Sequence, residues 1–379
     1  MKKQKICIIG DGLSGLTTAL ALKNLNLDID IYYKKKNKKF ADKRTTAISE
    51  SNYKYLIKYL SPKNRSSFWS CKKINLFYED QNKYSNFLNY EEKKNHLMHI
   101  VENKNFKNSL LATLKKQKNV NLINKEIKVV DQKDSFILTN KKIYYDLIIL
   151  CLGSQADLYS IVKNNRSIVK DYKEIAITGS VQHKIRINNP SQYFLNEGPL
   201  AILPFKKKMF SFVWSVNKSF FADQEKEMKT LINKKLIKIL GNKSKIKILN
   251  IQSFPIFLKL KTKYYKKNIL ILGEGLHSIH PIAGQGFNLV VRDIKKIEEL
   301  ISKNLQLGLA LKNSFILKEF YDERNPENTL IGIGVDLTNE FFKKNKYMRN
   351  MKNNLLKNVG SFQSLKRITR YVSDKGIYF

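Results

Sequence analysis

Ile6-Cys7-Ile8-Ile9-Gly10-Asp11-Gly12-Leu13-Ser14-Gly15 is the stretch that decides the fold. The apolar run Ile6 to Ile9 is β-rich and breaks on a glycine, after which Leu16 to Leu25 reads as a helix rich in Ala and Leu. Leu27-Asp28-Ile29-Asp30-Ile31-Tyr32 then alternates like a second strand. The opening is therefore βαβ, with Gly10, Gly12 and Gly15 at G-x-G-x-x-G spacing between strand and helix. The first glycine permits the tight turn, the second lets backbone approach a pyrophosphate, and the third lets helix and strand pack closely. The helix amino terminus adds free N–H groups and a partial positive charge. Nucleotide binding is the expectation, with Leu13 and Ser14 in the same loop.

Two further buried strands are expected downstream, at Tyr145 to Gly153 and at Asn268 to Gly273, each nearly all apolar and ending in glycine. Residues 166 to 262 instead show short strand-like stretches at Glu174 to Thr178, Leu200 to Leu203, Phe210 to Val216 and Ile246 to Ile251. One helical stretch runs from about Asp223 to Leu240. That texture predicts an inserted sheet domain. From about Phe287 onward the pattern is mostly helical, with Pro326 as an interruption.

The composition sets the frame. Among 379 residues, 70 are Lys or Arg and 32 Asp or Glu, for a formal charge of +38. Such a balance raises nucleic acid or an anionic membrane as partners. Lys outnumbers Arg by 61 to 9, however, whereas readers of base edges and phosphates rely on the planar fork of Arg. Basic runs recur at Lys34 to Lys39, Lys206 to Lys208, Lys261 to Lys267 and Lys343 to Lys346, scattered rather than gathered. The excess reads as compositional drift, with a membrane surface second and no nucleic acid. Cys7, Cys71 and Cys151 form no C-x-x-C pair and are odd in number, which fits a reducing cytoplasm and indicates no metal site. No run approaches the roughly 18 apolar residues of a membrane span, so a soluble or peripheral protein is expected.

The sharpest segment is Gly273-Glu274-Gly275-Leu276-His277-Ser278-Ile279-His280-Pro281-Ile282-Ala283-Gly284-Gln285-Gly286-Phe287-Asn288-Leu289, followed by Arg292-Asp293. A buried strand ends in Gly-Glu, and a loop with Pro and two Gly opens a helix near Gly286. The carboxylate suits a polyol hydroxyl, and amides at a helix start suit an electron-rich group.

This segment resembles the flavin-ribityl motif G-D-A-x-H-x-x-H-P-x-x-G-Q-G-x-N-L of class A FAD-dependent aromatic hydroxylases, most closely the ubiquinone-biosynthesis hydroxylases. Further similarity follows in order. Arg44 to Ser51 is similar to R-x-x-A-L-S-x-S, and Ile100 to Asn103 to I-V-E-N. Gly198 to Pro204 with Trp214 is similar to G-P-L-A-x-L-P and its nearby tryptophan, and Phe254-Pro255-Ile256 to F-P-L. Tyr321 to Arg324 and Asp336 to Thr338 resemble the helix after the flavin.

The resemblance implies an α/β fold: an FAD-binding βαβ domain of glutathione-reductase-like, para-hydroxybenzoate-hydroxylase type, an interleaved β-sheet substrate domain and C-terminal helices. The expected FAD-binding parts are 1–70, 100–165 and 265–325. The substrate parts are 71–99 and 166–264, and 326–379 is helical. The implied activity is monooxygenation: FAD is the cofactor, NAD(P)H the co-substrate, and one atom of O2 enters the aromatic ring of a polyprenylated phenol or quinone precursor of ubiquinone. A ubiquinone-biosynthesis complex and the cytoplasmic face of the inner membrane are the implied surroundings. By residue, Gly10, Gly12, Leu13, Ser14, Gly15 and Gly153 would serve the pyrophosphate region, and Tyr33 the ribose. Arg44 would serve the phosphates or ribityl region, and Gly273 with Glu274 the ribityl chain. Pro281, Gly284, Gln285 and Gly286 would be catalytic, with Phe287 and Asn288 beside the flavin.

Three departures stand out. Tyr33 replaces the carboxylate that ends the second strand, and the Lys34 to Lys36 run beside it either meets a 2′-phosphate, as in an NADP-binding dehydrogenase, or is a solvated turn. Glu274 and Gly275 replace Asp and Ala. Leu152 replaces the Asp of an A-D-G motif, and that loss supports a second reading, a catalytically degenerate flavin-fold scaffold.

His277 and His280 suggest a metal pair by spacing alone, and local hydrogen bonding is the expected use. Trp214 is expected in the core rather than in a pocket. The stretch from Asp223 to Leu240 should pack on its domain, and Leu355 to Ile368 with Tyr371 and Val372 forms a basic, apolar helix suited to an anionic membrane.

Overall fold

A computed structural model describes residues 3–34, 42–81, 83–127, 129–131, 135–153, 157–162, 167–223, 227–241, 245–313, 315–343 and 363–377. The opening unit is β1 (Gln4–Ile9), α1 (Leu13–Leu22) and β2 (Leu27–Tyr33). Next come β3 (Thr45–Ser49), α2 (Glu50–Leu56), α3 (Pro62–Arg65) and β4 (Trp69–Cys71). They are followed by β5 (Lys73–Asp80), β6 (Lys83–Glu91), β7 (Met98–Glu102), α4 (Asn103–Leu114) and β8 (Val120–Asn124). Three short strands, β9 (Val129–Val130), β10 (Phe136–Leu138) and β11 (Lys142–Tyr144), precede β12 (Leu147–Leu150).

The middle of the chain holds β13 (Ser167–His183), β14 (Ser191–Leu195), β15 (Gly198–Lys206), β16 (Met209–Asn217), α5 (Lys218–Asp223), α6 (Met228–Leu240) and β17 (Ile246–Lys261). After β18 (Tyr265–Lys266), β19 (Ile269–Ile271) and β20 (His277–Ser278), the described chain ends in α7 (Gly286–Gln306), α8 (Ile316–Phe342) and α9 (Gln363–Lys375).

One six-stranded sheet has the order β18-β19-β12-β1-β2-β8, all parallel except β18 at its edge. Ile6 pairs with Leu147 on one side and Ile29 on the other, and Ile149 pairs with Leu270. β12 and β19 are apolar throughout, as is β1 from Ile6 to Ile9, because both faces are covered there, and Ile6, Ile8, Leu147 and Ile148 have no exposed surface. Parallel pairing puts the turns after β1, β12 and β19 at one edge. Ligands of open α/β sheets bind at that carboxyl edge.

The second sheet has eight strands, β20-β17-β13-β16-β15-β14-β5-β6. Two of its strands are far longer than the short stretches read from the sequence: β13 has 17 residues and β17 has 16. Register shifts between Asp171 and Glu174 and between Ser180 and Val181 carry the pairing past positions where the alternation fails. α6 packs Met228, Ile232 and Leu236 onto this sheet as one face of a helix. Trp214 lies in the same core without exposure, as expected.

Pro326 does not interrupt the helical region: α8 runs through it for 27 residues. Proline removes the bond to the Asp322 carbonyl, but both residues face solvent, so water can satisfy that acceptor. Arg324, Glu327 and Asn328 meanwhile anchor the helix on both sides of the proline. Lys35 to Lys39, Lys344 to Lys346 and the part of the expected basic helix from Leu355 to Phe362 lie outside the described residues. No helix among the described residues is long and apolar enough to cross a membrane.

Candidate active site

The loop after β1 is built by contact. A Cβ on Gly10 would sit 2.1 Å from the Cys151 carbonyl oxygen, and one on Gly15 would sit 2.0 Å from that of Gly10. These two glycines, with Gly10 at φ +120°, let β1, β12 and α1 meet. Gly12 differs: among the described residues nothing lies within 4 Å of where its Cβ would be, and the same holds for Gly153 and Gly286. Backbone is exposed to open space at three turns, and two of them start helices whose first N–H groups have no partner within the helix.

That space is one cavity of about 1200 Å³. Gly12 lines it from the first loop with Leu13 and Ser14 at the start of α1, Arg44, Gly153 and Glu274 from three other turns, Pro281, Gly284 and Gln285 from the loop before α7, and Gly286 to Asn288 from the first turn of α7. Gly10 and Gly15 lie behind this wall, and Gly273 abuts the Ser14 side chain. Tyr33, at the end of β2, and Leu152 are not among the lining residues. Lys34 is paired with Glu126 at 2.7 Å.

Arg44 is held by its neighbour. Nε and Nη2 donate to the two oxygens of Asp42, both at 2.9 Å, and Asn103 Nδ2 donates to the same carboxylate. Burial pushes the Asp42 carboxyl up, but Arg44 and Asn103 outweigh it and hold it below its ordinary range. Arg44 also feels the negative charge of Glu274, which is exposed to the cavity. The two residues therefore offer a cation and an anion on one wall.

Asn288 has a different task from its neighbours. Its Oδ1 accepts from the Ser49 amide at 2.9 Å and from Asn52 at 3.0 Å, and its Nδ2 donates to the Ala47 and Gly284 carbonyls. It fastens the loop before α7 to β3 and α2. Gln285 is the opposite case: its Oε1 is buried with no hydrogen-bond partner among the described residues, and the residue lines the cavity. An acceptor left in this way suits a donor on a bound molecule. With the open glycine turns, it makes the site fit a dinucleotide-sized group carrying a polar ring.

His277 and His280 do not converge. His277 Nε2 meets Asp293 at 2.6 Å, while His280 Nε2 meets Glu174 at 2.9 Å and its Nδ1 accepts from the Ile282 amide. The histidine cluster that sequence spacing missed lies elsewhere, at Glu50, His96 and His99, whose ligand-type atoms fall within 4.8 Å. There His99 Nε2 already meets Glu50 at 2.6 Å, and Lys54 holds the other carboxylate oxygen at 3.1 Å.

Nothing in the sequence signalled that α9 closes the cavity. Thr369, Val372, Ser373 and Asp374 line it. The Ser51 amide donates to Asp374 Oδ1 at 2.8 Å, and Arg292 Nη2 donates to the Ser373 carbonyl at 2.9 Å. Arginine at a helix carboxyl end satisfies carbonyls that the helix leaves free. Another part of the lining is apolar, with Leu76, Phe87, Phe194, Leu203 and Phe254 from the large sheet and Val335 from α8.

Comparison with known proteins agrees with this architecture. Residues 216–368 match the family model described as squalene epoxidase. The chain is 24% identical over 334 residues to the mitochondrial ubiquinone biosynthesis monooxygenase COQ6 of Dictyostelium discoideum, covering 70% of this chain and 66% of that one. It is 27% identical over 168 residues to the 3-demethoxyubiquinol 3-hydroxylase of Escherichia coli, covering 42% of each. The matched regions thus span less than two thirds of either relative. Among solved structures, p-nitrophenol 4-monooxygenase PnpA from Pseudomonas putida superimposes with a TM-score of 0.83 at 14% identity, over 100% of this chain and 99% of that one. A single-residue variant of HpxO from Klebsiella pneumoniae, complexed with FAD, gives 0.74 at 15% identity over 98% and 99%. The α/β fold expected from the motifs is the fold these monooxygenases share, and the similarity to ubiquinone-biosynthesis hydroxylases is borne out.

Proposed function

We propose that the chain is an FAD-dependent monooxygenase that uses NAD(P)H and O2 to hydroxylate the aromatic ring of a polyprenylated ubiquinone precursor. The observation that carries this reading is the single cavity joining the open glycine turns, the Pro281 to Asn288 loop and an apolar wall. Its volume of about 1200 Å³ exceeds the roughly 300–1,000 Å³ usual for one small ligand, which suits a cofactor and a substrate together.

Backbone amides at Gly12, Leu13 and Ser14 would hold the pyrophosphate, with Gly10 and Gly15 shaping the loop and Gly153 giving backbone room. Arg44 would neutralise phosphate or ribityl oxygens, Glu274 would accept from ribityl hydroxyls, and Gly273 sets its turn. When bound, FAD supplies the redox chemistry, taking electrons from NAD(P)H and activating oxygen. The loop of Pro281, Gly284, Gln285 and Gly286 would face its ring, with amides near Gly286 and Phe287 stabilising negative charge. Asn288 acts by fixing that loop, and Tyr33 replaces a ribose carboxylate with one phenol. The apolar wall and α9 exclude water from the reacting region.

Residues 1–70, 100–165 and 265–325 form the FAD-binding part in this reading, 71–99 and 166–264 the substrate part, and 326–379 the helical end. A polyprenyl substrate favours work at the cytoplasmic face of the inner membrane, within a ubiquinone-biosynthesis complex. Support for the surface comes from α9, where Ile368 and Tyr371 are 61% and 49% exposed among Arg367, Arg370 and Lys375.

The test is a visible spectrum and a melting curve with and without FAD. Flavin absorbance and an FAD-dependent rise in Tm are expected, then NADPH oxidation that responds to a phenolic substrate, and rescue of a hydroxylase-deficient quinone pathway. Absence of both flavin signals would sink the cofactor assignment. Leu152 favours a second reading, a scaffold of the same fold that has lost catalysis; in that case Leu152→Asp leaves reductase activity at zero, whereas in a weakened enzyme it raises it.

A further inference from the structure

We propose that Tyr159 is a positioning residue that sets two cofactor-facing turns against each other, with Gly275 as its matched partner. The inference rests on the reading of the cavity as an FAD site. Tyr159 comes from the short 3-10 helix Asp157–Ile161, and it is 4% exposed within the core beneath the parallel sheet. Its hydroxyl accepts from the Leu152 amide at 3.0 Å and donates to the Gly153 carbonyl at 2.8 Å. Both bonds go to one turn, the one after β12, whose Gly153 opens onto the cavity at φ +85°.

The other side of the same phenol meets the turn after β19. A Cβ on Gly275 would stand 2.4 Å from the Tyr159 hydroxyl oxygen and 2.5 Å from Cζ, too close for any side chain. Gly275 therefore admits the ring, and the ring in turn fixes the height of the Gly273–Gly275 turn that carries Glu274. Burial first, with the nearby Glu274 charge adding to it, pushes the phenol above its ordinary range. It stays protonated and keeps its donor for Gly153.

One departure from the sequence motif thus has a cause: where an Ala is usual, Gly275 makes room for Tyr159. The bond to residue 152 is to its backbone amide and does not account for Leu in place of Asp. A buried tyrosine needs only one partner anywhere to satisfy its hydroxyl. Here both bonds and the ring contact fall on the two turns that present Gly153 and Glu274.

The experiment titrates FAD into apo-protein of the wild type, Tyr159→Phe and Gly275→Ala. It follows fluorescence quenching, the melting temperature of each apo form, and amide hydrogen exchange at Leu152. Tyr159→Phe is expected to lower the apo melting temperature modestly, because both bonds exist without FAD, to speed Leu152 exchange, and to weaken FAD about tenfold beyond that loss because the two turns are no longer preset. Gly275→Ala should weaken FAD in the same direction. Wild-type affinity in either variant overturns the proposal, as does an affinity loss wholly accounted for by a destabilised apo form. If the wild type itself binds no FAD, the proposed function falls with it, an outcome distinct from the first two.

Discussion

His277 and Asp293 meet at 2.6 Å with neither side chain exposed, and the second oxygen of Asp293 accepts a hydrogen bond from Arg324 Nε at 2.7 Å. The pair ties the strand that follows the Glu274 turn to α7 and α8. Burial pushes the Asp293 carboxyl up, but Arg324 and His277 outweigh it and hold the group below its ordinary range.

Removing Asp293 should therefore be severe. Asp293→Ala leaves Arg324 and His277 buried against a void, and breaking a buried ion pair from one side typically costs about 3–5 kcal/mol. Urea unfolding of the variant should show a loss of that order. A loss below about 1 kcal/mol would mean that Glu327 and Asn328 alone satisfy Arg324.

Acid should act through the same kind of group. Asp42, Glu174 and Asp293 all titrate below their ordinary values in the folded chain. A depressed carboxyl contributes stability that is full above its unfolded pKa, near 4, and is lost as pH falls through the folded value. Tm should hold between about pH 5 and 7 and fall steeply below about pH 4, and Asp42→Asn should reduce that slope. An equally steep fall in the variant would remove Asp42 from the account.

The latch on α9 gives a third expectation. Asp374→Ala removes the acceptor of the Ser51 amide, and Arg292→Ala removes the donor to the Ser373 and Val372 carbonyls. Each should raise the rate at which trypsin cuts within α9, at Arg367 or Arg370, with the rest of the chain intact. A cutting rate equal to the wild type's would show that Tyr90 and Glu92, which hold Thr369 and Arg370, suffice.

Pro326 was legible as a helix breaker and was misleading, because the sequence cannot show that Asp322 and Pro326 both face water while Arg324 and Asn328 are anchored from α7. The βαβ opening and the loop before α7 were legible for the opposite reason. Their glycines and apolar runs answer to local backbone geometry, and Gly10 to Gly15 fold as their spacing predicts. What the sequence hid were pairings across long separations: Asp374 on Ser51, Tyr159 on Gly275 and Glu50 on His99. Strand lengths suffered similarly, since β13 and β17 continue through bulges that break the alternation.

Pro326→Ala follows from that correction. The proline sits on the exposed face of α8, so alanine restores a backbone bond without disturbing the core. Proline inside a helix costs about 3 kcal/mol relative to alanine, and a gain of about 1–3 kcal/mol in chemical denaturation is expected. No gain would mean that the Asp322 carbonyl keeps its distance even when a donor is available.

Arg44 offers the sharpest separation of binding from folding. Its guanidinium is bound to Asp42, feels the charge of Glu274 and lines the cavity proposed to hold the cofactor. Arg44→Ala removes that cation but leaves Asp42 with Asn103 and the backbone amide of residue 44 as donors. Stability should fall by only about 1–2 kcal/mol, whereas FAD should bind at least about tenfold more weakly, because a charge-assisted contact to a phosphate is roughly twice as strong as a neutral one. Arg44→Lys should recover part of the affinity but not all, since an ammonium cannot make the two parallel bonds to Asp42 that fix the side chain's direction. Fluorescence titration of the three proteins at one ionic strength decides the point, and equal affinities would take Arg44 out of the cofactor site.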